Sequence, residues 1–262
     1  MNYKETGVYQ GIFIIGCLLG IPLLPIIIIQ GKILKRKIPV LPEAEKNRTG
    51  FIGNGDIFNL VTIGESTVAG VGVGDHKEGI TGNIAKVLQE FTGKKINWDV
   101  LANSGYSADA VNKKLIPLLP SKPIDLIVIG LGANDAFELK SPLQWKKGIT
   151  DIIVSVRNKN INCPIVIAAM PPLRYCPAFS ILFKCIFGGL VLLYTKTMKG
   201  ICRNHHQVYF INQEINFKNW SPRIDPGLTM NDLFCDGVHP SKLSYELWGR
   251  EIGEYLINNK LV

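Results

Sequence analysis

Five short apolar runs set the terms for this chain: Ile57 to Gly64, Ile96 to Ala102, Ile124 to Gly132, Cys163 to Met170 and Val208 to Asn212. Between and after them lie longer stretches of helical spacing at about 78–92, 107–118, 141–159, 178–203 and 241–258. Several runs, such as "IDLIVIGLG", are β-branched and apolar without alternation, as strands read when helices cover both faces of a parallel sheet. The expected fold is therefore α/β, a three-layer α/β/α arrangement around a five-stranded parallel sheet. An apolar fraction of 47% over 262 residues is enough to bury one sizeable core. Open sheets of this kind bind ligands beyond the carboxyl ends of their strands. That places Glu65 and Ser66, Asn103 to Gly105, Asn134 and Asp135, and Pro171 to Arg174 at the expected site before any motif is considered.

A second feature precedes the strands. No charged residue occurs from Thr6 to Gly31, and Gly11 to Ile29 is apolar throughout, long enough for a helix to cross roughly 30 Å of hydrocarbon. We read one transmembrane helix over about residues 8–30, bent by Pro22 and Pro25. A cleaved secretory signal fits less well, because Glu5 cancels Lys4 and no A-x-A cleavage pattern follows. The formal charge of +8 does not point to nucleic acid, since Lys32, Lys35, Arg36 and Lys37 concentrate half of it beside the apolar stretch. By the positive-inside rule that cluster favours the cytoplasmic side of the membrane for the C-terminal part, with the periplasmic side as the alternative. The expected organisation is an anchor with a basic flank at 1–37, a polar, proline-bearing linker at 38–55 and a globular domain at 56–262. The six cysteines show no metal-like or paired spacing and read as reduced thiols.

Four short blocks carry chemistry. "CDGVHPS" sets Asp236 three residues before His239, and a carboxylate so close can hold an imidazole in one tautomer and stabilise its charged form, as a general base requires. "GEST" places Ser66 just past the first run, where small neighbours leave its hydroxyl accessible. "NSGYS" offers the Gly105 N–H and "LGAND" the Asn134 amide as donors to an oxygen that becomes negative during acyl transfer. Taken singly, each is an ordinary cap or turn residue. The order and placement of all four carry the weight.

Together, "GEST", "NSGYS", "LGAND" and "CDGVHPS" resemble the four blocks of the SGNH, or GDSL-type, hydrolases, a superfamily of esterases, lipases, thioesterases and carbohydrate-ester hydrolases with a flavodoxin-like sheet. The resemblance runs from about Phe58 to Leu256, and "LPEAEKNRTG" with "GESTVAGVGV" is similar to a membrane-anchored bacterial branch. It implies Ser66 as nucleophile, His239 as general base and Asp236 as its orienting acid. It further implies an oxyanion hole made of the Ser66 N–H, the Gly105 N–H and the Asn134 side chain, with no metal or organic cofactor. One departure is Glu65, where the family pattern has aspartate.

The remaining features read more plainly. Asp135 suits a capping role, and His76, His205 and His206 are expected in solvated loops. "AGVGVGDHKEG" fails the spacing of a dinucleotide or phosphate loop. The segment around Phe179 to Tyr194 is apolar nearly all round, which fits either a core helix or a surface that meets the bilayer or an acyl chain. The implied function is a membrane-anchored serine esterase acting on small or lipid-like carboxylic esters. Its alternatives are acyl transfer or deacylation on sugar esters, or a non-catalytic binding protein on the same fold.

Overall fold

The computed structural model describes residues 3–159, 161–213, 215 and 227–262. Its sheet has six strands rather than the expected five, and it is mixed rather than all parallel. The strands are β1 (Thr49–Ile52), β2 (Ile57–Gly64), β3 (Lys95–Ala102), β4 (Leu126–Gly130), β5 (Ile165–Ile167) and β6 (Val208–Phe210), in the spatial order β1-β3-β2-β4-β5-β6. Strands β2 to β6 are mutually parallel, whereas β1 joins the edge antiparallel to β3, with Gly50 opposite Trp98.

The added strand falls in the stretch expected to be a linker, for a physical reason. An edge strand of four residues buries little, and Gly50 reads as a breaker. In the folded chain that glycine makes room for the Trp98 indole, since a Cβ there would lie 2.4 Å from Trp98 Cζ2.

The other strands show why their sequences do not alternate. Val61, Ile63, Ile127, Ile129, Ile165 and Ile167 face one core, built with α4 (Ala108–Lys114), α6 (Pro142–Arg157) and α7 (Ile181–Arg203). Leu60, Leu126, Val128 and Val166 face the other, built with α3 (Ile80–Thr92) and α8 (Lys242–Asn258). Both cores are built of apolar side chains, so burial on the two faces of one sheet supplies the main driving force for this architecture. A short helix, α5 (Ala133–Phe137), follows β4 at the carboxyl edge.

The N-terminal segment is helical as α1 (Tyr3–Gly20) and α2 (Leu24–Lys37), with a 3-10 turn at Ile21–Leu23 where Pro22 removes a backbone donor. Thr6–Lys37 is long and apolar enough to be a candidate membrane span. One side of it lies along α6 and α7. Phe13, Ile27 and Leu34 pack on the core, the Ser180 hydroxyl donates to Gln30 Oε1 (2.7 Å), and the Leu143 N–H donates to Gln10 Oε1 (3.4 Å). The other side leaves Leu19 and Ile29 72% and 59% exposed. An apolar face of that extent calls for a non-aqueous neighbour.

Candidate active site

Strand β2 runs to Gly64, paired with Gly130 of β4, where close approach leaves no room for a side chain: a Cβ at Gly64 would lie 2.3 Å from the Gly130 carbonyl oxygen. The chain then turns sharply, with the Ala69 N–H donating to the Glu65 carbonyl (2.9 Å) and the Val71 N–H to the Ser66 carbonyl (3.1 Å). Ser66 sits at the start of this turn, half-buried, at the carboxyl edge of the sheet.

The two loops expected to supply donors stand beside it. After β3, the Asn103 N–H donates to the Gly64 carbonyl (3.3 Å), which ties the NSGYS turn to the strand that carries Ser66. Gly105 adopts φ +80° with no atom within 4 Å of an added Cβ, so backbone conformation, not crowding, requires the glycine. After β4, Asn134 donates from Nδ2 to the Tyr106 carbonyl (3.2 Å), which fixes its amide against the Gly105 loop. Asp135 is fully buried, and its Oδ2 accepts from the Ala108 N–H (3.0 Å), capping α4 from another element in keeping with the role expected for it.

Glu65 has a role that the motif did not disclose. It is buried, and its Oε1 and Oε2 accept from the Ala133 N–H (2.8 Å) and the Asn134 N–H (2.9 Å). The acid preceding Ser66 therefore holds the backbone of Asn134. Burial pushes its carboxyl up to about 8 against the pull of those two N–H groups, and the charge of Asp135 adds to the rise.

Linkage gives the sign. The unfolded carboxyl titrates near 4.5 and the folded one near 8, so this group favours the folded state below about 4.5 and loses that contribution as pH rises to about 8. Stability relative to Glu65→Gln is expected to fall across that window by at most about 1.4 kcal/mol per pH unit. Urea denaturation of both proteins at several pH values measures it.

At the far end of the chain, Asp236 Oδ2 and His239 Nδ1 are 2.7 Å apart. Asp236 Oδ1 accepts from the Val238 N–H (2.8 Å) and the His239 N–H (2.7 Å), so the same side chain builds the loop and holds the ring. Burial pushes the Asp236 carboxyl up, but the bonds from His239 outweigh it and hold the group below its ordinary value. Gly237, at φ +85°, makes the turn between them and packs on Ala178. Ser241 then caps α8, its hydroxyl accepting from the Ser244 N–H (3.4 Å).

The two halves meet at one end of the sheet. Thr67, next to Ser66, lines a small cavity together with Val238 and Pro240, the neighbours of His239. Tyr245 Oη donates to the Val71 carbonyl (2.9 Å), and Gly72 packs directly on Cys235. No hydrogen bond joins Ser66 to His239 among the described residues, and the His239 side chain is 25% exposed. A serine at the sheet edge, an imidazole with a fixed carboxylate partner and the Gly105 and Asn134 loops at the same end of the sheet are the parts that acyl transfer requires, and contacts between such parts commonly tighten when substrate binds. His76 differs from expectation: it is fully buried beneath the Ser66 turn, where burial lowers its imidazole to about 4.

Residues 62–247 match the GDSL-like lipase/acylhydrolase family, and the chain belongs to that family. Solved structures agree at the level of the fold. The structure described as TesA superposes with a TM-score of 0.58 at 17% identity, covering 78% of this chain and 99% of that one. A family 3 carbohydrate esterase from Clostridium thermocellum gives 0.57 at 16%, covering 78% and 97%. The psychrotrophic esterase EstA from Pseudoalteromonas sp., solved inhibited by monoethylphosphonate, gives 0.54 at 18%, covering 78% and 98%. No protein of curated function matches the sequence.

Proposed function

We propose that the protein is a membrane-anchored serine esterase that cleaves carboxylic esters through an acyl-serine intermediate. The observation that carries this reading is the 2.7 Å contact between His239 Nδ1 and an Asp236 carboxylate already locked by two backbone N–H groups, on a loop packed against the Ser66 turn. In this scheme Asp236 keeps the proton on Nδ1, so Nε2 is free to take the Ser66 proton as Oγ attacks the ester carbonyl. The Ser66 N–H, the Gly105 N–H and Asn134 Nδ2 receive the developing oxyanion. His239 returns the proton to the leaving alcohol, then activates water to release the acid. No step calls on a metal or organic cofactor.

The substrate side of the proposal rests on location. The candidate span lies along α7, where Phe179, Phe183 and Phe187 cluster with Phe137 at ring distances of 5.1 to 6.3 Å. Cys176 and Leu173, which precede this cluster, line the cavity that Thr67 and Val238 share. An apolar cluster next to the residues that line that cavity favours lipid-like acyl esters over polar ones. The basic cluster after the span keeps the cytoplasmic orientation as part of the same proposal.

A fluorophosphonate probe tests the chemistry, because only an activated serine reacts quickly with it. Wild type in detergent is expected to label and Ser66→Ala to lose the label. A series of p-nitrophenyl esters of rising chain length is expected to show kcat/KM increasing with acyl length. Labelling that persists in Ser66→Ala would place the nucleophile elsewhere.

A further inference from the structure

Residues 38–48, expected to be a linker, lie across both loops of the candidate site. The Gly72 N–H donates to the Pro42 carbonyl (3.4 Å), the Ala44 N–H to the Ala69 carbonyl (3.0 Å), and the His76 N–H to the Lys46 carbonyl (3.1 Å). Ala44 is 1% exposed, and Gly70 lacks a side chain where a Cβ would lie 2.8 Å from Ala44 Cβ. This strap therefore pins the turn that begins at Ser66.

A second set of contacts, made by Glu43, reaches the other loop. Glu43 Oε1 accepts from the Ser104 N–H (2.5 Å), the residue before Gly105, and Glu43 Oε2 accepts from Arg48 Nη2 (2.6 Å). Arg48 Nη1 donates in turn to the Ala102 carbonyl (2.9 Å) at the end of β3. The clip spans from the strand end to the middle of the NSGYS turn. The backbone there carries a positive φ, and its turn bond, Tyr106 N–H to Asn103 carbonyl, is long at 3.4 Å. A loop with so weak an internal bond takes its orientation from outside contacts.

We propose that Glu43 is a positioning residue: through the Ser104 N–H it aims the Gly105 N–H at the oxyanion, and Arg48 both holds and neutralises it so that its charge does not oppose that oxyanion. The strap connects α2 directly to these contacts, so the segment leaving the candidate membrane span is part of the active-site framework rather than a tether. This rests on the oxyanion role proposed above for Gly105.

The experiment compares full-length Glu43→Gln, Glu43→Ala and Glu43→Asp in detergent micelles with a short p-nitrophenyl ester. Glutamine keeps one oxygen for the Ser104 N–H while its NH₂ replaces the oxygen that accepts from Arg48, whose part-exposed guanidinium then turns to solvent and its Ala102 contact; alanine has no acceptor, and aspartate is too short to reach Ser104. Alanine and aspartate are expected to lower kcat on the order of tenfold, the scale of one hydrogen bond to a charged acceptor, with KM and melting temperature little changed. Glutamine is expected to stay within roughly threefold of wild type. If alanine and aspartate keep wild-type kcat, or if glutamine falls as far as they do, the proposal is overturned. Should alanine fail to fold, the glutamine–aspartate contrast still decides. Ser66→Ala separates the two failures: activity surviving in it removes the esterase reading itself, whereas its inactivity beside unaffected Glu43 variants removes only the positioning role.

Discussion

Asp236→Asn is expected to lower kcat about 10⁴-fold while leaving the fold intact, the scale seen when a triad acid is made neutral. The two carboxylate oxygens have separate partners. Oδ1 accepts from the Val238 and His239 N–H groups at 2.8 and 2.7 Å, and an asparagine carbonyl oxygen can take over both bonds. The opposite amide orientation would set an NH₂ group against two N–H donors and is disfavoured. The asparagine Nδ2 must then face His239 Nδ1, where Oδ2 now sits at 2.7 Å. An amide N–H can only donate, so the ring is driven to the tautomer with its proton on Nε2. That tautomer cannot accept a proton from Ser66. A melting temperature close to wild type together with the collapse in kcat is the expected pair of readings. Retention of more than roughly a tenth of wild-type kcat would mean that His239 is not the base, since the tautomer argument leaves it no residual route.

How much of this was legible in the sequence depends on how much each element buries. Strand β2 occupies Ile57–Gly64, the same bounds the sequence suggested, because its last five residues are buried, with Leu60 facing one core and Val61 and Ile63 the other, and this leaves a mainly apolar run. Strand β1 left no such trace: it is an edge of four residues whose glycine yields to an indole from β3. Helix α5 is only five residues and reads as the turn that holds Asn134. The motif residues were visible because the chemistry demands particular side chains. Their supports were not, since Glu65 and Glu43 accept through carboxyl oxygens from backbone N–H groups of loops 61 or more residues away in sequence. Any acceptor of suitable length can make such a bond, so no residue pattern announces it. His76 misled for a related reason. A polar, glycine-rich setting suggested solvent, but the strap that covers the turn comes from residues 42–46, and it buries the imidazole.

Asn134→Ala isolates the side-chain donor of the proposed oxyanion hole, because the structure separates that donor from its own backbone. The Asn134 N–H belongs to Glu65 Oε2, a bond that alanine keeps, and alanine is well tolerated in the short helix that starts there. The amide is removed, and with it the one bond from this side chain to the Tyr106 carbonyl of the Gly105 loop, which stays tied through the Asn103 and Ser104 N–H groups. One of its hydrogens is engaged by the Tyr106 carbonyl at 3.2 Å, which holds the group rigid and leaves the second free to meet the oxyanion. A donor already in place contributes most in the transition state, where the charge develops, and little to binding the neutral ester. The expected result is a loss of about 10² to 10³ in kcat with KM changed only slightly. Asn134→Asp is expected to be worse, since it presents a carboxylate to the forming negative charge. If alanine instead raises KM at constant kcat, Asn134 binds substrate and its transition state equally. The oxyanion would then fall to the Ser66 and Gly105 N–H groups alone, which would make the orientation of the Gly105 loop, and hence its contact with Glu43, more important to the rate.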